Sequence, residues 1–306
     1  MLIIGENIHI ISPQVKEAIA ARDTAVIQRL AIEQVENGAG ILDLNIGPQK
    51  KEGPEVMRWM VEAVQEVVDI PLSFDTTNLE AIRTGLSMAK HKGMVNSTSA
   101  QPQRLEEVPP LAAEFGARLV ALTMGQSGIP MTAEERVALA IETLIPRALE
   151  VGIPMEDLYL DPLLMTVSGC QEYCPPAIEA VRYIKQGMDP APMTTCGLSN
   201  VSNQVPQDRR SLLNRVYLAM LMAVGLDSAI GDPLDKELMN VIRIVDQRDD
   251  STSAGALLLT LHDRVAAMEE LEPSDVDMSD PDQSAIWKTY QVLMNKIIYT
   301  PDYLRG

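Results

Sequence analysis

Eight short apolar runs recur along the chain, over residues 2–5, 41–45, 72–75, 93–96, 119–122, 158–161, 195–198 and 227–230, each separated from the next by a stretch long enough for a helix. That alternation is the pattern of a parallel sheet, because parallel neighbours need a long crossover and cannot be joined by a tight turn. Runs such as Leu119-Val120-Ala121-Leu122 carry no polar alternation, as expected of strands covered on both faces. The windows between them place Val56, Met60, Val64, Val67 and Val68, or Leu212, Leu213, Val216, Tyr217, Met220, Leu221 and Val224, at helical spacing. Eight strands are enough to close a (β/α)8 barrel of about 250 residues. A chain of 306 residues with 46% hydrophobic content fits one such barrel plus an appendage. The competing fold is a doubly wound open sheet. Its usual nucleotide loop is missing: Gly38-Ala39-Gly40 lacks a third glycine and precedes a strand instead of following one.

The ends of these runs carry the chemistry. Asn45, Asp75, Asn96, Asp161 and Asn200 each close or closely follow an apolar run. In a parallel barrel such ends converge on one mouth, the face where barrel enzymes hold their active sites. Amides give and take hydrogen bonds and carboxylates accept them, so the set suits a flat heterocycle bearing several N–H donors and a carbonyl. The alternative for Asp75 and Asn96 is service as N-caps of the helices that follow; for Asn200 it is a loop cap.

Lys and Arg number 25 against 43 Asp and Glu, a net charge of −18, and no basic block interrupts that excess. A phosphate backbone would be repelled, which argues against nucleic acid. The longest apolar run, 216–226, is too short to cross a bilayer, and Met1 leads into Leu2-Ile3-Ile4 without a basic leader, so a soluble cytoplasmic protein is expected. Three cysteines form no disulfide framework, and Cys170 and Cys174, with Cys196 distant and His9, His91 and His262 scattered, read as buried or loop thiols more readily than as a zinc site. No metal site is expected. No serine elbow, His-Glu-x-x-His or Cys/His pair is present to support covalent or zinc chemistry.

The pattern changes after about residue 247. Asp249-Asp250-Ser251-Thr252-Ser253 reads as a break, 257–268 as a helix, 270–282 as an acidic, proline-interrupted stretch, and 285–298 as a helix with Trp287, Tyr290, Leu293 and Ile297 on one side. The expected organisation is a barrel over 1–247 and a C-terminal helical extension over 248–306. The last helix packs on the barrel or on a second subunit, and a homodimer is expected.

Six segments in order, Gly5-Glu6-Asn7-Ile8, Leu42-Asp43-Leu44-Asn45-Ile46-Gly47-Pro48, Asp75-Thr76-Thr77-Asn78, Asn96-Ser97-Thr98, Leu160-Asp161-Pro162-Leu163 and Gly197-Leu198-Ser199-Asn200-Val201-Ser202, resemble the methyltetrahydrofolate:corrinoid methyltransferase family. That family shares its pterin-binding barrel with dihydropteroate synthase and with the folate domain of cobalamin-dependent methionine synthase. The resemblance implies an α/β fold of the pterin-binding TIM-barrel type. It implies that Asp75, Asn96 and Asp161 hold the pterin, that Gly197, Ser199, Asn203 and Arg210 lie on the folate side, and that Asn200 is the catalytic amide. Glu6, Asn45 and Ser202 are secondary candidates. It further implies tetrahydrofolate or 5-methyltetrahydrofolate as substrate and a corrinoid brought by a partner protein, since the Asp-x-His-x-x-Gly signature of corrinoid carriers is absent here. The chain departs from the family at Asn7, His9 and Asn203, changes that bear on the corrinoid-facing side more than on the pterin floor, and either Arg209 or Arg210 stands near an arginine the family carries, with a solvated arginine at a helix start as the alternative.

The reaction implied is methyl transfer between a protein-bound corrinoid and N5 of tetrahydrofolate, with the departures and the long tail favouring the methyltransferase component of an O-demethylase system. The alternatives are transfer from methyltetrahydrofolate to a corrinoid iron-sulfur protein in the acetyl-CoA pathway, and a folate-binding or corrinoid-docking subunit without turnover. Dihydropteroate synthase chemistry is disfavoured by Ile230-Gly231-Asp232-Pro233-Leu234-Asp235, acidic where a pyrophosphate would sit.

Overall fold

The computed structural model describes residues 1–305. Eight parallel strands, β1 Leu2–His9, β2 Ile41–Asn45, β3 Leu72–Asp75, β4 Met94–Ser99, β5 Arg118–Leu122, β6 Leu158–Asp161, β7 Met193–Thr194 and β8 Ser228–Gly231, lie in the order β7-β6-β5-β4-β3-β2-β1-β8. Helices connect them, so all strand C-terminal ends share one face.

The expected strand positions hold closely except at the seam. Residues 195–198 were expected as a strand, whereas β7 stops at Thr194 and a 3-10 turn occupies Leu198–Ser202. The reason is closure: Thr195 N–H still reaches Leu160 O at 3.0 Å, but Cys196 O then accepts from Ile230 N–H at 2.8 Å, and Gly197 bridges Ile230 alone. The chain thus leaves β6 to complete the barrel against β8. Asp227 reinforces the seam below, accepting from Thr194 N–H at 2.7 Å, Thr194 Oγ1 at 2.9 Å and Lys185 Nζ at 2.8 Å.

Two strands run further than their apolar cores. β1 continues to His9, with its pairing to β2 slipping between Gly5 and Ile8, and β4 continues to Ser99, slipping between Asn96 and Thr98. Bulges re-aim side chains, and these two put Glu6-Asn7 and Asn96-Ser97 at the mouth.

Inside the barrel the side chains are layered. Ile4, Ile41, Met94, Val120 and Tyr159 form a buried apolar floor. The strand period of two brings Asp43 and Ser73 in above it, then Asn45 and Asp75, while Leu42, Leu44 and Phe74 face the helices.

Beyond the barrel, the helices Ser253–Ala266 and Pro281–Leu293 bury Leu257, Leu258, Leu261, Ile286, Tyr290 and Leu293 in the same apolar cluster as Val216, Tyr217 and Leu221 of the helix Gln207–Ala223. The last helix therefore packs on the barrel, with Trp287 against Tyr290 at 5.8 Å. It stops at Leu293 rather than continuing to 298, and Ile297 and Ile298 are exposed. Among the described residues no helix is long and apolar enough to cross a membrane.

Candidate functional site

Asn45 and Asp75 end adjacent strands in register. The Asn45 amide is held at both ends: Nδ2 donates to Asp75 Oδ2 at 2.5 Å, and Oδ1 accepts from Gly47 N–H at 3.0 Å. Burial raises the Asp75 carboxyl to about 6, against the lowering pull of the Asn45 bond and of the Arg104 guanidinium. Asn96, next along in register, donates from Nδ2 to Asp43 Oδ1 at 3.2 Å, which leaves its carbonyl oxygen to act as an acceptor. Asp43 is 3% exposed and also accepts from Ser73 Oγ at 2.6 Å. Its carboxyl is pushed well up, first by burial and then by the nearby charge of Asp75, and the charge of Glu6 reaches it as well. The mouth is thus a low-dielectric set of carboxyls, each wanting donors.

Asp161, at the end of β6, is buried and accepts from Leu163 N–H at 2.7 Å. Burial raises its carboxyl to about 7, opposed by the backbone N–H groups of Leu163 and Gly197 and by the charge of Arg136. Accepting from Gly197 ties β6 to the loop that carries Asn200.

In that loop the turn Leu198–Ser202 is closed by Asn200 N–H to Gly197 O at 3.1 Å. Asn200 Oδ1 accepts from Asn203 Nδ2 at 3.3 Å, which leaves the Asn200 Nδ2 to act as donor. Ser199 Oγ donates to Glu6 Oε1 at 2.5 Å, and burial raises the Glu6 carboxyl. Ser202 Oγ donates to Ser199 O at 3.2 Å and is a brace within the turn. Glu6, Asn7, His9, Ser199, Asn200 and Asn203 line an open cleft of about 490 Å³.

The expected residues therefore fall into two neighbouring groups. Asn45, Asp75 and Asn96 form one, joined through Asp43. Asp161, Gly197, Ser199, Asn200, Ser202, Asn203 and Glu6 form the other. Arg210 stands apart from the first group: it is exposed, its Nε donates to Val205 O at 2.8 Å, and it borders a cavity of about 420 Å³ with Glu6, Ser199, Ser202 and Asn203. Arg209 pairs with Asp208 at 3.5 Å at the start of its helix, the solvated alternative. The N-cap alternative fails for Asp75, since the helix after β3 is capped by Asn78, whose side chain accepts from Ala81 N–H. Asn96 precedes no helix directly either: Gln101 occupies that N-cap.

Sequence reasoning assigned no role to Asp43, Ser73 or Arg104. The one signal for Asp43 was a carboxylate inside an apolar strand, and for Arg104 there was no motif; it comes to Asp75 from the first turn of the helix Pro102–Glu114, with Nη2 bonded to Ser97 O. Asn7 is fastened by Nδ2 to Asp232 Oδ1 at 2.8 Å, which accounts for one acidic residue after β8. Cys174 and Cys196 are buried, and burial pushes the Cys174 thiol up to about 12, which fits unreactive core thiols.

The chain is similar to known proteins in sequence and in fold. The family model for pterin binding enzymes matches residues 12–231. The chain is 33% identical over 251 residues to the methylcorrinoid:tetrahydrofolate methyltransferase of Eubacterium limosum, covering 80% of this chain and 90% of that protein. It is 30% identical over 240 residues to the methionine synthase of Mycobacterium leprae, covering 75% of this chain but 20% of that much longer protein. Its fold resembles the dihydropteroate synthases of Clostridium difficile, with a TM-score of 0.59 at 19% identity over 81% of this chain and 96% of that one, and of Thermus thermophilus, with 0.57 at 20% over 80% and 93%. By the span of the family match and the extent of these relatives, the chain belongs to the pterin-binding enzyme family and is a methyltransferase.

Proposed function

We propose that this protein moves a methyl group between a corrinoid carried by a partner protein and N5 of tetrahydrofolate, as the methylcorrinoid:tetrahydrofolate methyltransferase of an O-demethylase-type system. The observation that carries this reading is the Asn200 amide, its Oδ1 occupied by Asn203 and its Nδ2 left to donate, on the loop whose Gly197 N–H is accepted by the buried carboxyl of Asp161, with the buried acceptor Asp75 at the same barrel face.

Asp75 and Asp161 each accept N–H groups of the pterin ring, Asn96 presents its carbonyl oxygen, and Asn45 and Asp43 hold these groups in place. Water is excluded beneath them by the apolar floor, so each hydrogen bond counts for more than it would in solvent. Asn200 Nδ2 donates to N5. In the direction of methyl loss, negative charge builds on N5 as the N5–methyl bond stretches and that hydrogen bond strengthens, which lowers the barrier where a uniform binding contact would not. The nitrogen then takes a proton from solvent, and in the direction of methyl gain tetrahydrofolate releases its N5 proton to solvent as the methyl arrives. The same transition state serves transfer in either direction. The corrinoid supplies the cobalt centre that exchanges the methyl group; the chain's part is to hold the folate in line, worth several kcal/mol by the effective molarity of about 10⁵ or more reached by oriented reactants. The cleft beside Asn200 is lined by Asn7 and His9 and by the exposed Ile11, Gln14 and Asn203, and there the partner would approach. The E. limosum relative and the extra helices after the barrel favour the demethylating assignment.

Spectrophotometry of cobalt with methylcobalamin and tetrahydrofolate, and with cob(I)alamin and methyltetrahydrofolate, tests it. Transfer that is lost in Asn200→Ala, with folate affinity kept, is the expected result. Undiminished transfer by Asn200→Ala removes the catalytic assignment, and folate binding with no transfer in either direction, even with a corrinoid partner protein, leaves a binding subunit instead.

A further inference from the structure

The loop between β6 and the helix Cys174–Gly187 holds a buried amide that the proposed chemistry does not use. Gln171 is 8% exposed. Its Nε2 donates to Asn295 Oδ1 and to Ile297 O, each at 2.8 Å, and its Oε1 accepts from Tyr299 N–H at 2.6 Å. All three partners belong to residues 294–305, beyond the last helix and outside the segment matched by the family model. That segment is turned toward Gln171 by Asn295, which adopts the left-handed conformation, φ 55°, that asparagine tolerates better than most residues.

The same loop reaches the site from its other end. Thr166 Oγ1 donates to Asn203 O at 2.5 Å, and Asn203 Nδ2 donates to Asn200 Oδ1 at 3.3 Å. Asn203 is otherwise exposed, and Gln204 after it takes a left-handed φ of 64°. Contacts therefore run from residues 295–299 to Gln171 and from Thr166 to Asn203 and Asn200, and the two sets are joined by the backbone of the loop between Thr166 and Gln171. Its last link decides which end of the Asn200 amide is presented, because an amide rotated by half a turn would offer oxygen where a donor is required.

On the methyl-transfer reading above, we propose that Gln171 is a positioning residue: by binding the terminal segment to the β6 loop it holds Asn203 against Asn200 Oδ1 and so keeps the Asn200 N–H donors turned to the folate. The terminal segment then serves the site through its hold on this loop, without touching substrate.

The experiment compares the wild type with Gln171→Ala, Thr166→Val, Asn203→Ala and the Gln171→Ala/Asn203→Ala double variant, with methylcobalamin and tetrahydrofolate as probes. Loss of one neutral hydrogen bond predicts that each single variant lowers kcat about three- to tenfold, with KM for tetrahydrofolate changed less than about twofold. Because Gln171 acts through Asn203, the double variant should be no slower than Asn203→Ala alone. A second readout is independent of turnover: the side-chain amide ¹⁵N–¹H resonances of Asn200, assigned by their loss in Asn200→Ala, should shift in Gln171→Ala and in Thr166→Val. Thr166→Val leaves the buried amide untouched and so carries the test if Gln171→Ala does not fold. Unshifted Asn200 resonances, unchanged kcat, or additive losses in the double variant would overturn the proposal and leave Gln171 a fastening of the terminal segment. A wild type that transfers no methyl overturns the reading on which the proposal rests, and is told apart from those outcomes by the wild-type assay alone.

Discussion

A methyl group placed on Gly197 would lie 2.9 Å from Nδ2 of Asn200, closer than side-chain carbons approach their neighbours. The absence of a side chain at Gly197 is what lets the Asn200 amide sit where it does. Gly197→Ala keeps the backbone N–H that Asp161 accepts, but displaces the Asn200 amide. Turnover should fall about tenfold to a hundredfold, the scale of a misplacement near 1 Å, with folate affinity by calorimetry little altered. Full activity in Gly197→Ala would mean that the position of this amide does not matter.

Asp161 links stability to pH. Its carboxyl is raised from 3.8 to about 7 in the folded protein, so the folded state binds more protons than the unfolded one between those values. The folate-free protein therefore has this group's full stability below about pH 4 and loses it as pH rises through about 7, with a slope of up to about 1.4 kcal/mol per pH unit. Asp161→Asn, which is never ionised, should be more stable than the wild type at pH 8, with the gap closing towards pH 4 in urea titrations. In the same variant, tetrahydrofolate binding at pH 8 should weaken, because the ionised acceptor is gone. A stability gap independent of pH would show that Asp161 ionises freely in the fold.

Asn45 acts through Asp75. Removing its Nδ2, the donor at 2.5 Å, takes away the leading influence that holds the Asp75 carboxyl down against burial. In Asn45→Ala the carboxyl should titrate above its present value of about 6, and tetrahydrofolate affinity at pH 7 should drop about three- to tenfold, the worth of one hydrogen bond. Calorimetry across pH 6 to 8 reads both effects, and an unchanged pH profile would detach Asn45 from Asp75.

Arg182 fastens the extension to the barrel. It is 3% exposed, and its guanidinium donates to Val265 O at 2.6 Å and Ala266 O at 3.4 Å, carbonyls in the last turn of the helix Ser253–Ala266, that of Val265 also accepting from Met268 N–H at 3.1 Å. A cation there also opposes the negative end of the helix dipole. Arg182→Met should cost about 1.5–3 kcal/mol in denaturant unfolding, the range for hydrogen bonds to a charged group. A loss below about 0.5 kcal/mol would mean that water replaces it.

The strands were legible because each is a local event: four or five apolar residues, bounded by turn residues and spaced by helical patterns, read the same in isolation as in the sheet. Asn45, Asp75, Asn96 and Asp161 were legible for the same reason, since a polar residue closing an apolar run needs no partner to be noticed. β7 was misplaced because residues 195–198 are as strand-like as any, and only closure against β8 decides that Gly197 pairs with Ile230 while the chain turns.

What the order of residues determined by itself was the alternation of strand and helix, hence a barrel with its polar ends on one face. What tertiary structure alone decided was how those ends are used. Asp43 joined these ends because the pleat turns it inward under Asn96; Arg104 because its helix brings it to Asp75; Arg210 came to the rim of the cavity beside Glu6 and Ser199, its Nε bonded to Val205 O. Gln171 meets partners 124 to 128 residues further along the chain, and no local pattern can announce a contact that exists only after the barrel has closed and its last helix has packed.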